Sequence, residues 1–278
     1  MTNDEYNDYD LPEVGAWSQR KYDLIRHYAE MFSTSMKNKW DCRVYIDCFC
    51  GCGLSKIKKT QRVMNSSATI AMEIKYPFDK YIFCDSDKNK LNLLKKYINQ
   101  RFSSLDVTFI DDDVNESVDS ILSAIPKPSK NFKVLSFCLL DPYKISNLQF
   151  NIIKKISDNV FVDFLILIPS YMDANRNEGN FKNNDYLDNF LGTTSWRDDW
   201  EKNKNNHKNF AEFVVTSFDQ QMEKLGFLSL KKAEFVKISE PKRNCPLYHL
   251  AFYSKSKLGK KFWKESITSS DPQISFEF

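Results

Sequence analysis

The chain has 278 residues, of which 42% are hydrophobic and 28% are charged, with a net charge of +3. This composition is ordinary for a globular protein, and the length suits one large α/β domain or two small ones. No apolar run approaches the ~20 residues of a membrane span, and the first residues lack the order of a signal peptide. Seven cysteines, an odd number, favour reduced thiols and a cytoplasmic location over a disulfide framework.

The first strong element is an apolar strand at 44–47, which ends in Asp47-Cys48-Phe49-Cys50-Gly51-Cys52-Gly53. Glycine is scarce in this chain, with 7 in all, so two at alternate positions are informative. They let the backbone approach a ligand closely, and a helix expected directly afterwards would present free N–H groups. The pattern predicts the first strand, turn and helix of a nucleotide-binding α/β domain. The alternative is a plain tight turn after a buried strand.

Strands and helices then alternate along the chain. Further strands are predicted at 81–85, 107–110, 134–140 and 162–168, with helices between them at 88–102, 116–125 and 150–156. Continuous apolar strands separated by helices indicate a parallel sheet that is covered on both faces.

The last third of the chain departs from this alternation of strands and helices. Residues 171–209 are rich in Asn and in charge and are predicted to be a helical or loop insertion, followed by a helix at 210–225 that ends at Gly226. Strands near 230–238 and 247–254 have no helix between them, which predicts an antiparallel pair at one end of the sheet.

Five helix-linked strands and a terminal hairpin are the strand inventory of class I methyltransferases. We therefore predict an α/β, class I methyltransferase-like Rossmann fold with a mostly parallel seven-stranded sheet and an N-terminal helix. A single domain is expected over 15–265, between an acidic flexible segment at 1–14 and a tail at 266–278.

Four acids follow successive predicted strands: Asp47, Asp85, Asp113 and Asp141. Ligands of open α/β sheets bind outside the carboxyl ends of the strands, where these acids are expected to meet. In S-adenosylmethionine enzymes, an acid after the second strand accepts hydrogen bonds from the ribose hydroxyls, and a polar group after the third reaches the adenine amine. The alternative for each acid, taken singly, is a helix N-cap.

The chain resembles the three-Cys-motif partner proteins, which are methyltransferase-like. The motifs that carry this resemblance are Trp17-Ser18 with Lys21 and Leu24, Tyr45 to Gly53, Asp113-Val114-Asn115, Leu140-Asp141-Pro142-Tyr143, and Tyr248 to Ser254 with Gly259 and Trp263. Cys50 and Lys144 depart from the family pattern, which commonly has alanine and glycine there.

The resemblance implies S-adenosylmethionine as the cofactor, bound by Trp17, Lys21, Asp47, Phe49, Gly51, Gly53, Asp85 and Asp113. Lys21 is expected to pair with the ligand carboxylate and Trp17 to wall the pocket. It also implies a neighbouring protein partner that carries a radical-SAM-like three-cysteine motif. The activity hypothesis is methyl transfer to a nucleic-acid base amine. One alternative is a cofactor-binding scaffold subunit without transfer activity, in a phage-defence or mobile-element system. The other is a nuclease-associated or defence-system protein that uses the fold to bind a nucleotide.

The best candidate for the chemistry is Asp141-Pro142-Tyr143. Amino methyltransferases that act on nucleic acids use a related Asp/Asn-Pro-Pro-Tyr/Phe segment, in which the acceptors orient the amine and the ring stacks on the base. Asp141 would hold the amine, Pro142 would shape the turn and Tyr143 would stack. A purely conformational Asp-Pro turn is the alternative.

Two further features bear on partners. Cys48, Cys50 and Cys52 lack the spacing and the distant second pair of a structural zinc site, so no metal is expected. Residues 231–264 carry ten Lys or Arg against two acids, which fits a nucleic acid, RNA or DNA, or a solvated basic surface. The bases singled out for phosphate contact are Lys242, Arg243, Lys255, Lys257, Lys260, Lys261 and Lys264.

Overall fold

The computed structural model describes residues 11–270, and a seven-stranded sheet forms its centre. In spatial order the strands are β6 (Val107–Ile110), β5 (Lys80–Cys84), β2 (Cys42–Asp47), β7 (Val134–Leu140), β8 (Val162–Ile168), β10 (Cys245–Tyr253) and β9 (Val236–Glu240). The first five are parallel, and β10 runs antiparallel to both β8 and β9. The predicted seven-stranded sheet with a terminal antiparallel hairpin is therefore confirmed, and the fold is a Rossmann-like methyltransferase fold.

Helices cover both faces of the sheet because its strands are apolar on both sides. One face packs against α1 (Ser18–Met36), α2 (Ser67–Met72), α3 (Lys88–Arg101) and α10 (Lys257–Ser269). The other face packs against α4 (Val114–Ala124), α5 (Phe150–Asn159), α7 (Tyr186–Leu191), α8 (Trp196–Asn203) and α9 (Phe210–Lys224). A further short helix, α6 (Glu178–Phe181), contributes Phe181 to the second core.

Local signals placed several of these helices correctly. Asp87 caps α3 by accepting hydrogen bonds from the backbone N–H groups of Asn89 and Lys90. Gly226 ends α9 with a φ of +84°, the left-handed conformation that glycine adopts without steric cost. The insertion at 171–209 contains a π-helical turn at Ser170–Ala174 followed by α6, α7 and α8.

The segment after Gly53 differs from the prediction of a helix there, which was wrong. The chain instead enters a small second sheet, in which β3 (Leu54–Ile57) lies between β1 (Glu13–Val14) and β4 (Val63–Asn65). The helix α2 starts only at Ser67, after this hairpin has returned the chain. The backbone N–H of Ser66 and the Thr69 hydroxyl both donate to the Gly53 carbonyl, at 2.8 Å each, and so fasten the hairpin's base.

The ends of the described region extend the ordered domain past its predicted limits. Leu11 is buried and β1 pairs with β3, although the domain was expected to begin at residue 15. At the other end α10 continues to Ser269, beyond the predicted limit at 265. The rest of the predicted terminal segments, 1–10 and 271–278, lies outside the described residues. Across 11–270, no helix is both long and apolar enough to cross a membrane.

Candidate functional site

The sheet order reverses at β2, because β5 and β6 lie on one side of it and β7 and β8 on the other. Such a reversal opens a crevice outside the carboxyl ends of the strands, where α/β proteins bind ligands. Asp47 ends β2, and Asp141 directly follows β7, the strand next to it. Asp85 directly follows β5 on the other side. The topology therefore gathers three of the four predicted acids around one crevice.

Gly51 and Gly53 have different roles in the loop after β2. Gly51 has a φ of +60°, and a Cβ placed on it would meet no atom within 4 Å, so open space lies beside its backbone. Gly53 has a φ of +81°, but a Cβ there would lie 2.7 Å from Leu94 and 2.9 Å from the Thr69 hydroxyl. Gly51 is thus the glycine that leaves room for a ligand, and Gly53 permits close packing.

Asp85 connects the glycine loop to the next strand. Its Oδ2 accepts a hydrogen bond from the backbone N–H of Gly51 at 2.8 Å, and its Oδ1 accepts one from the N–H of Asp87 at 2.9 Å. A carboxylate offers about four acceptor positions, so both oxygens retain capacity for further donors such as hydroxyl groups. Asp85 is half-buried and accessible for that purpose.

Asp47 is fully buried beneath this loop. Its Oδ1 accepts a hydrogen bond from the Phe49 N–H at 3.2 Å, whereas its Oδ2 lies near the Ser67 hydroxyl but makes no hydrogen bond of full geometry among residues 11–270. Burial raises the pKa of Asp47 to about 7, and the negative charges of Asp141 and Asp85 act in the same direction, while the nearby Ser67 hydroxyl opposes them. A buried polar atom without a partner is costly, so this oxygen is a natural place for a ligand donor.

Lys21 and Asp141 form an ion pair across the crevice, with Nζ and Oδ2 2.5 Å apart. Both side chains are largely buried, and the Lys21 ammonium also lies over the Tyr22 ring. Burial by itself would lower the pKa of Lys21, but the charge of Asp141 outweighs it and the net shift is upward. Burial raises the pKa of both Tyr22 and Tyr248, which face this pair, so their hydroxyls stay neutral. Lys21, which was expected to meet a ligand carboxylate, thus already has a carboxylate partner within the chain.

The Asp141-Pro142-Tyr143 segment forms an ordered turn beside this pair. Pro142 is buried, whereas the Tyr143 side chain is 71% exposed and projects from the surface. Asp173 of the insertion stabilises the turn, because its Oδ2 accepts a hydrogen bond from the Ile145 N–H at 2.7 Å. Asn147 adds a second restraint through the backbone N–H of Lys144.

The remaining predicted binding residues are less directly engaged. Trp17 precedes α1 and folds its ring against Gly15, where a Cβ would lie 2.3 Å from the ring carbons. Phe49 is half-buried against the core beneath the glycine loop. Asp113 caps α4, because its Oδ1 accepts hydrogen bonds from both the N–H and the side-chain amide of Asn115 at 2.8 Å. A role toward adenine therefore stays a prediction for Asp113.

Four residues around the crevice were given no role from the sequence: Tyr22, Ser55, Ser67 and Tyr248. Tyr248 belongs to a motif of the family resemblance, which was an available signal. Ser55 carried no such signal, because it reaches the site only through the hairpin after Gly53.

The basic residues of 231–264 are divided between opposite ends of the sheet. His249 pairs with Ile168 at the carboxyl end of β8, so the loop with Lys242 and Arg243 lies on the crevice side. Tyr253 pairs with Phe164 near the start of β8, so the bases from Lys255 onward lie at the amino end. Because β10 runs antiparallel to β8, it carries these bases away from the crevice. Lys260 and Lys264 also both pair with the buried Glu234.

The cysteines after β2 line the protein interior. Cys48, Cys50 and Cys52 are buried, and burial raises the pKa of the Cys50 thiol well above its ordinary value. Over residues 11–270, no group of three or more His, Cys, Asp or Glu side chains is arranged to hold a metal ion.

Comparison with known proteins adds a likeness of fold. No family model and no curated protein matches the sequence. Among solved structures, an S-adenosylmethionine-dependent methyltransferase from Clostridium acetobutylicum is 14% identical, with a TM-score of 0.32, over 52% of this chain and 50% of that one. A SAM-dependent O-methyltransferase from Thermotoga maritima is 13% identical, with a TM-score of 0.37, over 82% and 65%. The P. horikoshii protein TYW2, in complex with MeSAdo, is also 13% identical at a TM-score of 0.37, over 82% and 64%.

This chain thus spans between half and two thirds of each of these three neighbours. The strand order of the sheet itself, with its antiparallel pair at one end, places the chain among the Rossmann-like methyltransferase folds.

Proposed function

We propose that this protein binds S-adenosylmethionine in the crevice between β2 and β7. Two observations around the loop after β2 carry the proposal: a buried Asp47 oxygen makes no hydrogen bond of full geometry within residues 11–270, and open space lies beside Gly51. Three carboxylates around one crevice suit a ligand with a sulfonium and an ammonium group. Asp85 would hold the ribose hydroxyls, and Gly51 would let the ligand lie against the backbone. Trp17, Phe49, Gly53 and Asp113 remain candidates for the pocket walls and the adenine end.

The reaction we propose is methyl transfer to a nucleic-acid base amine. The bound cofactor would supply an electrophilic methyl group on sulfur. Asp141 would accept a hydrogen bond from the amine with Oδ1, since Lys21 already occupies Oδ2. Lys21 fixes the Asp141 carboxylate in direction, so the acceptor is oriented before the substrate arrives. The exposed ring of Tyr143 is free to stack on a base, and Asp173 and Asn147 hold the turn that presents it.

A second candidate is a cofactor-binding partner subunit of a three-Cys-motif protein without its own transfer activity. The Lys21–Asp141 ion pair favours it, because an aspartate that faces a buried ammonium at 2.5 Å is a weaker acceptor than a free one. In this case Tyr143 and the crevice would bind the cofactor and the partner protein but no acceptor amine.

Calorimetry with S-adenosylmethionine on the full chain tests the cofactor site. We expect binding that Asp85→Ala weakens and that Asp111→Ala, at an exposed acid near the same sheet edge, leaves unchanged. If both variants bound S-adenosylmethionine as tightly as the parent protein, the proposed position of the pocket would be wrong. Transfer of a radiolabelled methyl group to mixed RNA and DNA then distinguishes the enzyme from the scaffold, since only the enzyme labels the nucleic acid.

A further inference from the structure

The hairpin of β3 and β4 carries a cluster of cations that none of the predicted functions used. Lys56, Lys58, Lys59 and Arg62 lie on or between its strands, and Arg20 is exposed on the first turn of α1. Hereafter these five residues are called the basic ribbon.

The charges of the basic ribbon are uncompensated within the described part of the chain. None of its five members forms an ion pair among residues 11–270, and the Arg62 guanidinium donates only a 3.3 Å hydrogen bond to the neutral Gln19 side chain. The acid on the adjoining β1 strand, Glu13, accepts its hydrogen bond from Gln61 at 2.7 Å. By contrast, Lys260 and Lys264 at the far end of the sheet share one buried glutamate. Two of the C-terminal bases are therefore compensated by one buried acid, whereas no member of the basic ribbon has an acidic partner among residues 11–270.

The ribbon is physically continuous with the candidate site. Its strand β3 begins directly after Gly53, and Ser55 is buried against Tyr22, whose ring lies under the Lys21 ammonium. Since a strand rises roughly 3.3 Å per residue, the ammonium-bearing tip at Lys58 and Lys59 lies ~10–13 Å along the chain from Ser55. A polymer that reaches the crevice from the glycine-loop side would lie beside these cations.

We propose that the basic ribbon binds the phosphate backbone of a nucleic acid whose base enters the crevice. The inference rests on the proposed function, because the exposed Tyr143 ring and the Asp141 acceptor are what favour a nucleic acid over an acidic protein. A two-stranded ribbon is narrow enough to follow a groove or a single strand, and lysine and arginine contacts to phosphate position the polymer without reading its sequence. On this proposal, the phosphate backbone contacts the protein on the glycine-loop side of the crevice.

The test is fluorescence anisotropy of labelled single-stranded RNA, single-stranded DNA and duplex DNA with the full chain over a salt series. The ribbon variant is Lys58→Glu/Lys59→Glu/Arg62→Glu. The matched control is Lys39→Glu/Lys127→Glu/Lys130→Glu, three exposed lysines at the amino end of the sheet with no ion pair among the described residues. Calorimetry with S-adenosylmethionine on all three proteins reports the cofactor site independently.

We expect the ribbon variant to lose about tenfold or more in affinity and about two units of the log–log salt slope, since each single-strand phosphate contact contributes ~0.7. The control should match the parent, and the cofactor affinity of both variants should stay unchanged.

Equal losses in ribbon variant and control, or competition by poly-glutamate as effective as that by nucleic acid, would overturn the inference. Cofactor binding without any nucleic-acid binding at low salt would overturn it too, while the proposed cofactor site stood. Ribbon-dependent nucleic-acid binding without cofactor binding would support the phosphate surface and remove the proposed function.

Discussion

At the scale of single residues, the site depends on groups whose charge is set by burial. Burial raises the pKa of Asp47 to about 7 and so favours its neutral form, whereas the raised pKa of Lys21 holds that side chain in its charged form. The two side chains of one crevice therefore favour different charge states. Lys21 lies next to the opposite charge of Asp141, whereas Asp47 is buried and its charged neighbours are other acids. A ligand ammonium near Asp47 would favour its ionised form.

The contribution of Gly51 to ligand binding can be separated from the backbone strain that any substitution at a positive φ introduces. Gly51→Val should reduce S-adenosylmethionine affinity by well over tenfold (~1.4 kcal/mol or more), because it fills the open space beside the backbone. Gly226→Val is the matched control, since Gly226 also has a positive φ and open space where its Cβ would lie, but it ends α9 outside the crevice. Both variants should unfold at lower urea, and only the first should lose affinity in calorimetry. An unchanged affinity in folded Gly51→Val would reject the loop as a ligand site.

The Lys21–Asp141 pair predicts strong non-additivity. Lys21→Met or Asp141→Leu alone should destabilise the protein by roughly 3–5 kcal/mol, because each leaves a largely buried charged group without its partner. Lys21→Met/Asp141→Leu should recover most of that loss in urea unfolding. Simple addition of the two single effects would show that the pair is not coupled. Every variant at Asp141 should lose methyl transfer if Asp141 holds the acceptor.

At the scale of elements, the same residue can cap the first turn of a helix and face a ligand. Asp113 illustrates this, because it caps α4 and also lies at the sheet edge where adenine is expected. Helix capping is a local property, since the side chain bonds an N–H two residues away, whereas ligand binding depends on neighbouring strands. Substitution can therefore separate the two roles.

Asp113→Ala should cost about 1 kcal/mol of stability through the lost cap. Asn209→Ala, at the cap of the distant α9, should cost a similar amount and serves as control. We expect only Asp113→Ala to weaken S-adenosylmethionine in calorimetry, and Asp113→Asn to restore the cap. Identical cofactor affinities in all three variants would leave Asp113 as a cap alone.

At the scale of the whole molecule, buried carboxyls on the sheet make stability depend on pH. Asp163, on β8, accepts a hydrogen bond from the buried Tyr28 hydroxyl at 2.7 Å, and burial raises its pKa to about 6. The pKa of Asp47 is raised further, to about 7. His249 acts in the opposite sense, since burial lowers its pKa to about 4 and the folded state resists protonation there.

The direction in which the free energy of unfolding changes with pH depends on whether the folded or the unfolded state binds the proton more tightly. A carboxyl with a raised folded pKa contributes its full stability below the unfolded value near 3.8 and loses it as the pH rises through the folded value. Asp163→Asn should therefore gain stability relative to the parent between pH 4 and pH 6, by up to about 3 kcal/mol. Urea unfolding of both proteins across this range measures the difference directly, which cancels the opposing contribution of His249. A difference that stayed constant with pH would contradict the buried, protonated Asp163.

The sequence by itself determined the elements whose signals are local. Apolar runs located all seven strands of the main sheet, Gly226 marked the end of α9, and the lack of a helix after β9 predicted the antiparallel hairpin. Such signals depend on side-chain periodicity and on hydrogen bonds within a few residues, so they can be read without the rest of the chain. The acids at the strand ends followed from the same rule, because parallel strands bring their carboxyl ends to one edge.

Only the tertiary structure decided which of those side chains meet. Lys21 and Asp141 are 120 positions apart, and their ion pair exists because α1 packs over the crevice beside β7. The chain after Gly53 forms a hairpin and not a helix because β1, from before α1, supplies the strand that pairs with β3. That long-range pairing also positions the basic ribbon beside the site, while the antiparallel direction of β10 carries the C-terminal bases to the opposite end. Pairing partners and strand direction depend on the whole assembly, which is why local sequence patterns could not reveal them.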